Sequence, residues 1–282
     1  MSDLTHIDLF AGIGGCSQGL QPWGVKTVAY VEVDRNCQTV LRRHNPDRLI
    51  LGDIRECGAH NLPHANIITF GSPCQDLSVA GTRLGLEGSK SGLFFEGIRV
   101  IKELQPDIAI WENVPGAFSS NKGNDFGIVL DALAESGAVD IGWRVLDSQW
   151  FRVAQRRRRV FVVADFRERR VGQILSIPSR HQAVDQTRLP RHGCLGTGTG
   201  SKLCFDGSFT LIVDSRGCRI TTPLERERLQ GFTDGWTEWG VDRMGRRVEM
   251  SDTTRYKMLG NAITVKVFRW LGYNVSRVLD LE

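Results

Sequence analysis

Hydrophobic and polar positions change their period several times along the chain. Short apolar runs rich in β-branched residues occupy 5–10, 27–31, 67–70 and 108–111, and amphipathic stretches at 16–20, 36–43, 93–104 and 126–135 lie between them. Continuous apolar runs suit strands buried on both faces, and strands that alternate with helices build a parallel sheet. The pattern therefore predicts an α/β fold. Two further runs, 143–150 and 160–165, flank Arg156-Arg157-Arg158-Arg159 and predict a hairpin at one edge of that sheet. After Asp165 the rhythm stops, and residues 166–219 are basic, weakly periodic and punctuated by glycine, which predicts a small, loop-rich second domain. Thr222-Pro223 is a helix start signal for a stretch running to Gly231. Residues 265–281 place Val265, Phe268, Leu271 and Leu279 near one helical face.

Composition adds a few constraints. The 282 residues are 41% hydrophobic and 24% charged, which suits a globular chain with a sizeable core. Neither a basic leader followed by an apolar segment nor a run near the roughly 20 apolar residues of a membrane span is found, so a cytoplasmic protein without membrane contact is expected. The net charge of +4 is unevenly spread: residues 166–219 carry +5 and all the others together −1. A localised basic excess suits a polyanionic partner, although a charge run by itself is more often a solvated face. Seven cysteines, an odd number with no CxxC pair, imply reduced thiols and no structural metal.

Three turns then suggest chemistry. The first apolar run ends in Asp8-Leu9-Phe10-Ala11-Gly12-Ile13-Gly14-Gly15, a glycine turn that lets a ligand approach the backbone; position 17 is serine, so the dinucleotide fingerprint is not met. About 20 residues on, Glu32 is placed to accept hydrogen bonds from both ribose hydroxyls of a nucleoside-like ligand. Gly52-Asp53-Ile54 follows the next strand at the same sheet edge and could offer a carboxylate to an amino group of that ligand. The third turn, Gly71-Ser72-Pro73-Cys74-Gln75, holds a thiol directly after a proline. A lone cysteine is more often a small hydrophobe than a nucleophile, so Cys74 gains weight only from its company.

That company is a series of segments in order: DLFAGIGG from Asp8, GSPCQDLS from Gly71, WENVPG from Trp111, QRRRRVFVV from Gln155, RLQGF from Arg228 and LGNAITV from Leu259. Together they resemble the cytosine-C5 DNA methyltransferase family, bacterial and phage type, over nearly the whole chain apart from the basic insert. The resemblance implies a Rossmann-like S-adenosylmethionine-dependent methyltransferase sheet with a small target-recognition domain. Residues 1–165 would be the catalytic and cofactor-binding domain, 166–219 the recognition segment, 220–260 the remainder of the small domain or a hinge, and 261–282 a helix returning to the catalytic domain.

The resemblance also implies roles. Cys74 would be the nucleophile and Glu112 the acid that shares a proton with N3 of the base, with Gln155, Arg157 and Arg159 completing the catalytic set. Arg159 would hold the cytosine carbonyl, and Arg157 the nucleophile loop or a phosphate. S-adenosylmethionine, leaving as S-adenosylhomocysteine, would lie against Phe10, Ala11, Gly12, Gly14, Gly15, Glu32, Val33, Asp53, Ile54, Pro73, Asn261, Ala262 and Ile263, with no metal. Double-stranded DNA would meet Gln75, Ser78, Arg156, Arg158, Thr210 and Leu211. A monomer is expected, and a cognate restriction nuclease is a partner the family allows. Two other readings stay open at this level: an RNA methyltransferase on the same scaffold and a catalytically silent DNA-binding relative.

Overall fold

The computed structural model of the chain describes residues 4–72, 92–176, 212–214 and 217–280. Its centre is a seven-stranded sheet of β1 (Thr5–Leu9), β2 (Lys26–Val31), β3 (Leu49–Leu51), β4 (Ile67–Phe70), β5 (Ile108–Asn113), β6 (Asp140–Asp147) and β7 (Arg158–Asp165). The order across the sheet is β3-β2-β1-β4-β5-β7-β6. All neighbours from β3 to β5 pair in parallel, and β7 runs antiparallel to both β5 and β6. This is the expected Rossmann-like α/β sheet, and the edge hairpin is present. Its first strand ends at Asp147 rather than at residue 150, because the Asp147 side chain accepts the Gln149 N–H and caps a short 3₁₀ turn, Ser148–Phe151.

Helices α1 (Gly15–Leu20), α2 (Arg35–His44), α3 (Gly92–Leu104) and α4 (Asn124–Glu135) connect the strands. On one face, α3 and α4 cover Ile68, Phe70, Trp111 and Val162; on the other, α1 and the C-terminal helix α8 (Val265–Leu279) cover Ile67, Ile110, Phe161 and Val163. Both faces are thus dry, which is why these strands read as near-continuous apolar runs. The helix after Thr222 is α6 (Pro223–Gln230), with a Thr222–Glu225 capping box and Gly231 in the left-handed region at its end.

Two segments lie elsewhere than the charge and glycine pattern suggested. Residues 166–176, which include the one-turn α5 (Val171–Ile174), pack on the sheet: Phe166 joins one core face, and Val171, Ile174 and Leu175 join the other. Arg170 forms a buried ion pair with Asp165 at 2.8 Å, so this guanidinium serves the sheet. Of the recognition segment, β8 (Ile212–Asp214) and β9 (Gly217–Arg219) form an antiparallel pair. Residues 220–260 continue through α6, the strands β10 (Trp239–Val241) and β11 (Arg247–Glu249), and α7 (Asp252–Asn261). Phe232, Trp236, Met250, Met258 and Leu259 from this stretch share a core with Ile13, Cys37 and Val40, against the glycine turn and α2.

Beneath the glycine turn three adjacent strands carry a buried polar chain. His6 stands beside Thr27 on β2, and Asp8 stands beside Thr69 on β4, with alternate side chains on one face. The Thr69 hydroxyl donates to Asp8 Oδ1 at 2.8 Å. His6 Nε2–H must therefore donate to Thr69 Oγ1, at 2.8 Å, and His6 Nδ1 must accept from the Thr27 hydroxyl, at 2.9 Å. Burial pushes the Asp8 carboxyl up to about 7 and the His6 imidazole down to about 3. Both groups are neutral between those values, and their pH slopes oppose each other.

Replacing Asp8 with Asn isolates one slope. An unfolded aspartate near 3.8 and a folded one near 7 give stability that is complete below about pH 4 and lost as pH rises to about 7. The stability of Asp8→Asn relative to wild type is expected to grow over that window by up to about 4 kcal/mol and level off above it. Urea unfolding of both proteins from pH 4 to pH 8 measures this difference, and a constant difference would refute it.

Candidate active site

The carboxyl ends of β1, β2, β4 and β5 gather the turns that the sequence singled out. At the end of β1 the backbone must reverse sharply, and Phe10 adopts a φ of 57°, in the left-handed region that costs a non-glycine residue about 1–3 kcal/mol. Gly12 follows with a φ of 54° and nothing within 4 Å of where a Cβ would stand, so the turn is open on its outer side. Gly14 and Gly15 begin α1. A Cβ on Gly15 would stand 2.8 Å from the Ile263 carbonyl oxygen, so the turn between α7 and α8 lies directly on the glycine turn. Asn261 is exposed there, Ala262 buried and Ile263 half-buried.

Glu32, at the end of β2, closes the glycine turn from the other side. Its Oε2 accepts the Gly12 N–H and its Oε1 the Asp34 N–H, both at 2.7 Å. A carboxylate has about four lone-pair sites, and two remain for the paired hydroxyls of a ribose. Burial raises the pKa of this group against the pull of those N–H donors. Val33, next to it, is 71% exposed, an apolar side chain at the sheet edge suited to packing on a flat heterocycle. Asp53 caps the short turn Ile54–Glu56 and pairs with Arg55, which holds the carboxyl below its usual range. That pair is solvent-exposed and therefore weak enough to yield to a ligand amino group. Ile54 is buried in the core. The open glycine turn, the half-used Glu32 carboxylate and exposed Val33 together fit an adenosine-bearing cofactor.

Glu112 and Arg159 meet through sheet register. Glu112 on β5 pairs with Phe161 on β7, which places Arg159, two residues away on the same face, as its diagonal neighbour. Arg159 Nε stands 3.0 Å from Glu112 Oε1, and both side chains are mostly but not fully buried. Gly71 completes this corner, since a Cβ there would stand 3.5 Å from Glu112 Oε2 and 3.9 Å from Ile263 Cδ1. The corner therefore joins the ends of β4 and β5 to the α7–α8 turn. Trp111 is fully buried and donates Nε1–H to the Ser72 hydroxyl at 3.3 Å.

The arginine run alternates as a strand requires, with Arg156 and Arg158 exposed and Gln155 and Arg157 buried. The two inward residues hold the α7–α8 turn. A helix end leaves carbonyls without helical partners, and a cation is favoured there. Arg157 Nη2 donates to the carbonyls of Gly260 and Ala262 at 3.2 and 3.0 Å. Gln155 Nε2 donates to Gln230 Oε1 at 3.2 Å, and Gln230 Nε2 donates in turn to the carbonyls of Leu259 and Ala262. Thr264 Oγ1 also donates to Gln230 Oε1, at 2.9 Å.

Sequence reasoning assigns no role to Gln230, Thr264 or Asp8. Gln230 lies within RLQGF, so a motif signals it, but nothing local shows that its partners stand about 30 residues further on. Pro73, Cys74, Gln75, Ser78, Thr210 and Leu211 lie outside the described residues. Cys16, Cys37 and Cys57 are buried and free, and burial pushes their thiols up, that of Cys57 to about 11. Among the described residues no helix is long and apolar enough to cross a membrane.

Comparison with known proteins bears on the same arrangement. Residues 4–193 match the family model described as C-5 cytosine-specific DNA methylase. Type II methyltransferase M.DsaV of Dactylococcopsis salina is 26% identical over 99% of this chain and 87% of its own length. Type II methyltransferase M2.BsuMI of Bacillus subtilis is 30% identical over 96% of this chain and 75% of its own. Among solved structures, that of the Entamoeba histolytica methyltransferase EhMeth superposes with a TM-score of 0.73 at 15% identity, covering 100% of both chains, which is a likeness of fold.

Proposed function

The chain belongs to the C-5 cytosine-specific DNA methylase family, and on that premise we propose that it methylates carbon 5 of a flipped-out cytosine in duplex DNA through a covalent adduct with Cys74. The observation that carries the reading is the Glu112–Arg159 pair at 3.0 Å, standing beside the α7–α8 turn and the glycine turn. S-adenosylmethionine, when bound, supplies a methyl group on a positively charged sulfur.

Carbon 5 of cytosine is too weak a nucleophile to accept that group unaided. Addition of the Cys74 thiolate to carbon 6 breaks the aromaticity and leaves an enamine whose carbon 5 can attack. Negative charge then builds on N3 and the carbonyl oxygen. Glu112 shares its proton with N3, and Arg159 donates to the carbonyl; the two groups already stand together, so little reorganisation is needed. A base afterwards removes the carbon-5 proton, and the thiolate leaves as the ring regains its aromaticity. Arg157, Gln155 and Gln230 are positioning residues, holding the α7–α8 turn that the cofactor shares with the glycine turn.

A base within a duplex cannot reach this corner, so the target must leave the stack at a cost of a few kcal/mol. In this reading exposed Arg156 and Arg158 contact phosphates, and the 177–219 part of the recognition segment, with Gln75, Ser78, Thr210 and Leu211, contributes affinity and sequence choice. The test is transfer of labelled methyl groups from S-adenosylmethionine to mixed-sequence duplex DNA, with transfer RNA in parallel and bisulfite sequencing of the product. Label on DNA cytosines is expected. Label on RNA alone, or binding without label, would overturn the reading.

Glu32→Ala is expected to weaken S-adenosylmethionine binding by about 100-fold, since two hydrogen bonds to a charged group contribute roughly 1.5–3 kcal/mol each and losses rarely add in full. Isothermal titration measures it directly, and a normal affinity would remove the ribose assignment.

A further inference from the structure

A second basic surface is assembled from parts of the chain that are far apart in sequence. The last turn of α2 carries Arg42, Arg43 and His44. The β10–β11 hairpin lies against it: Arg43 Nη1 donates to the Trp239 carbonyl at 3.3 Å, across 196 residues. The His44 ring stacks on Trp236 with centroids 3.5 Å apart and planes within 4°. Beyond this contact the hairpin turn presents Arg243, Met244, Arg246 and Arg247, all exposed. The Arg247 guanidinium lies 3.6 Å over the Trp239 ring. Arg42 is held below its usual pKa, first by partial burial and then by the positive charge of Arg243. Two cations are therefore held close together.

Arginines without an ion pair occur elsewhere among the described residues, at Arg35, Arg48 and Arg277 for example; what distinguishes this surface is that several are gathered in one place. Arg55, Arg99, Arg167, Arg219 and Arg228 each have a carboxylate partner. On the α2–hairpin surface Asp242 takes Arg246 at 2.8 Å. Among the described residues, no ion pair is formed by Arg42, Arg43, Arg243 or Arg247. Arg42 and Arg243 repel each other, Asp242 offsets part of that repulsion, and a closely spaced row of negative charges relieves the rest.

We propose that this surface is a second contact for the phosphates of duplex DNA, engaging the stretch of duplex that extends beyond the target cytosine. The proposal rests on the reading of the chain as a DNA methyltransferase. Arg42, Arg43, Arg243 and Arg247 neutralise phosphates there. Glu32 and the catalytic corner lie at the carboxyl edge of the sheet, where α2 begins, and its ten residues carry the basic turn about 15 Å from that edge. A duplex too short to extend past the corner does not reach it.

The experiment combines Arg42→Gln, Arg243→Ser and Arg247→Gln and leaves Arg43, which ties the hairpin to α2, in place. Binding of wild type and variant to duplexes of about 8 base pairs, which extend about 14 Å to each side of a central target, and about 40 base pairs, roughly four helical turns, is measured against salt. On the longer duplex the variant is expected to bind at least 10-fold more weakly at low salt. Its slope of log affinity against log salt should be shallower by about 2–3, at roughly 0.9 for each phosphate that is no longer neutralised. On the short duplex the two proteins should agree, and S-adenosylmethionine affinity should be the same, which also checks the fold. Arg243→Ser alone serves if the triple variant unfolds, with a slope change of about 1. An unchanged slope on the longer duplex, or an equal deficit on the short one, overturns the proposal. Wild-type protein that methylates no DNA would instead remove the reading on which it rests.

Discussion

Cys74→Ser will bring methyl transfer below detection while duplex binding persists. The reaction needs a nucleophile that can form its anion near neutral pH and can leave again; a thiol with an ordinary pKa near 8.5 is already a few per cent thiolate at about pH 7, and that thiolate is strongly nucleophilic and a good leaving group. A serine hydroxyl in the same place is neither ionised nor polarizable enough to break the aromaticity of cytosine. Nor can another thiol among the described residues stand in, since Cys16, Cys37 and Cys57 are buried and their thiols are shifted upward. Affinity for DNA comes mostly from phosphate contacts, which the substitution leaves alone. A variant with normal turnover would sink the covalent mechanism, and a variant that also fails to bind DNA would show a wider structural role for the Cys74 turn.

Glu112→Gln should slow the chemical step by about 10²–10⁴-fold, the range typical of a positioned proton donor. The substitution is nearly isosteric, and the glutamine carbonyl can still accept from Arg159 Nε, which stands 3.0 Å from Glu112 now. The corner should therefore keep its shape, and cofactor affinity, which the proposal assigns to Glu32 and the glycine turn, should change little. What is lost is the proton that neutralises N3 as charge develops, so the deficit belongs to kcat. Single-turnover methyl transfer with saturating DNA separates it from binding. A variant that loses affinity for DNA or cofactor and keeps its single-turnover rate would make Glu112 a structural residue.

The sheet and the turns gathered at its carboxyl edge are legible in the order of residues alone. Apolar runs of strand length stand out because burial on both faces demands them, and the glycine turn stands out because a φ such as the 54° of Gly12 favours glycine. Glu32 is readable from its distance to that turn, and Glu112 and Arg159 from the motifs around them. Other features depend on contacts between distant residues, which no local pattern records. Gln155 and Arg157 are read from the sequence as part of the catalytic set, with Arg157 on the nucleophile loop or a phosphate; that both are buried, Arg157 on the carbonyls of Gly260 and Ala262 and Gln155 on Gln230, follows only from the folded chain. Arg170 reads as part of a basic recognition segment until its ion pair with Asp165 places it on the sheet. The α2–hairpin surface is the extreme case: residues outside 166–219 sum to −1, so the short basic runs at Arg42-Arg43 and at Arg243 to Arg247 are hidden in that total until folding sets them side by side. Folding sets Arg42 beside Arg243 because Trp236 stacks on His44 and Trp239 receives Arg43, and electrostatic repulsion depends on distance in space rather than along the sequence.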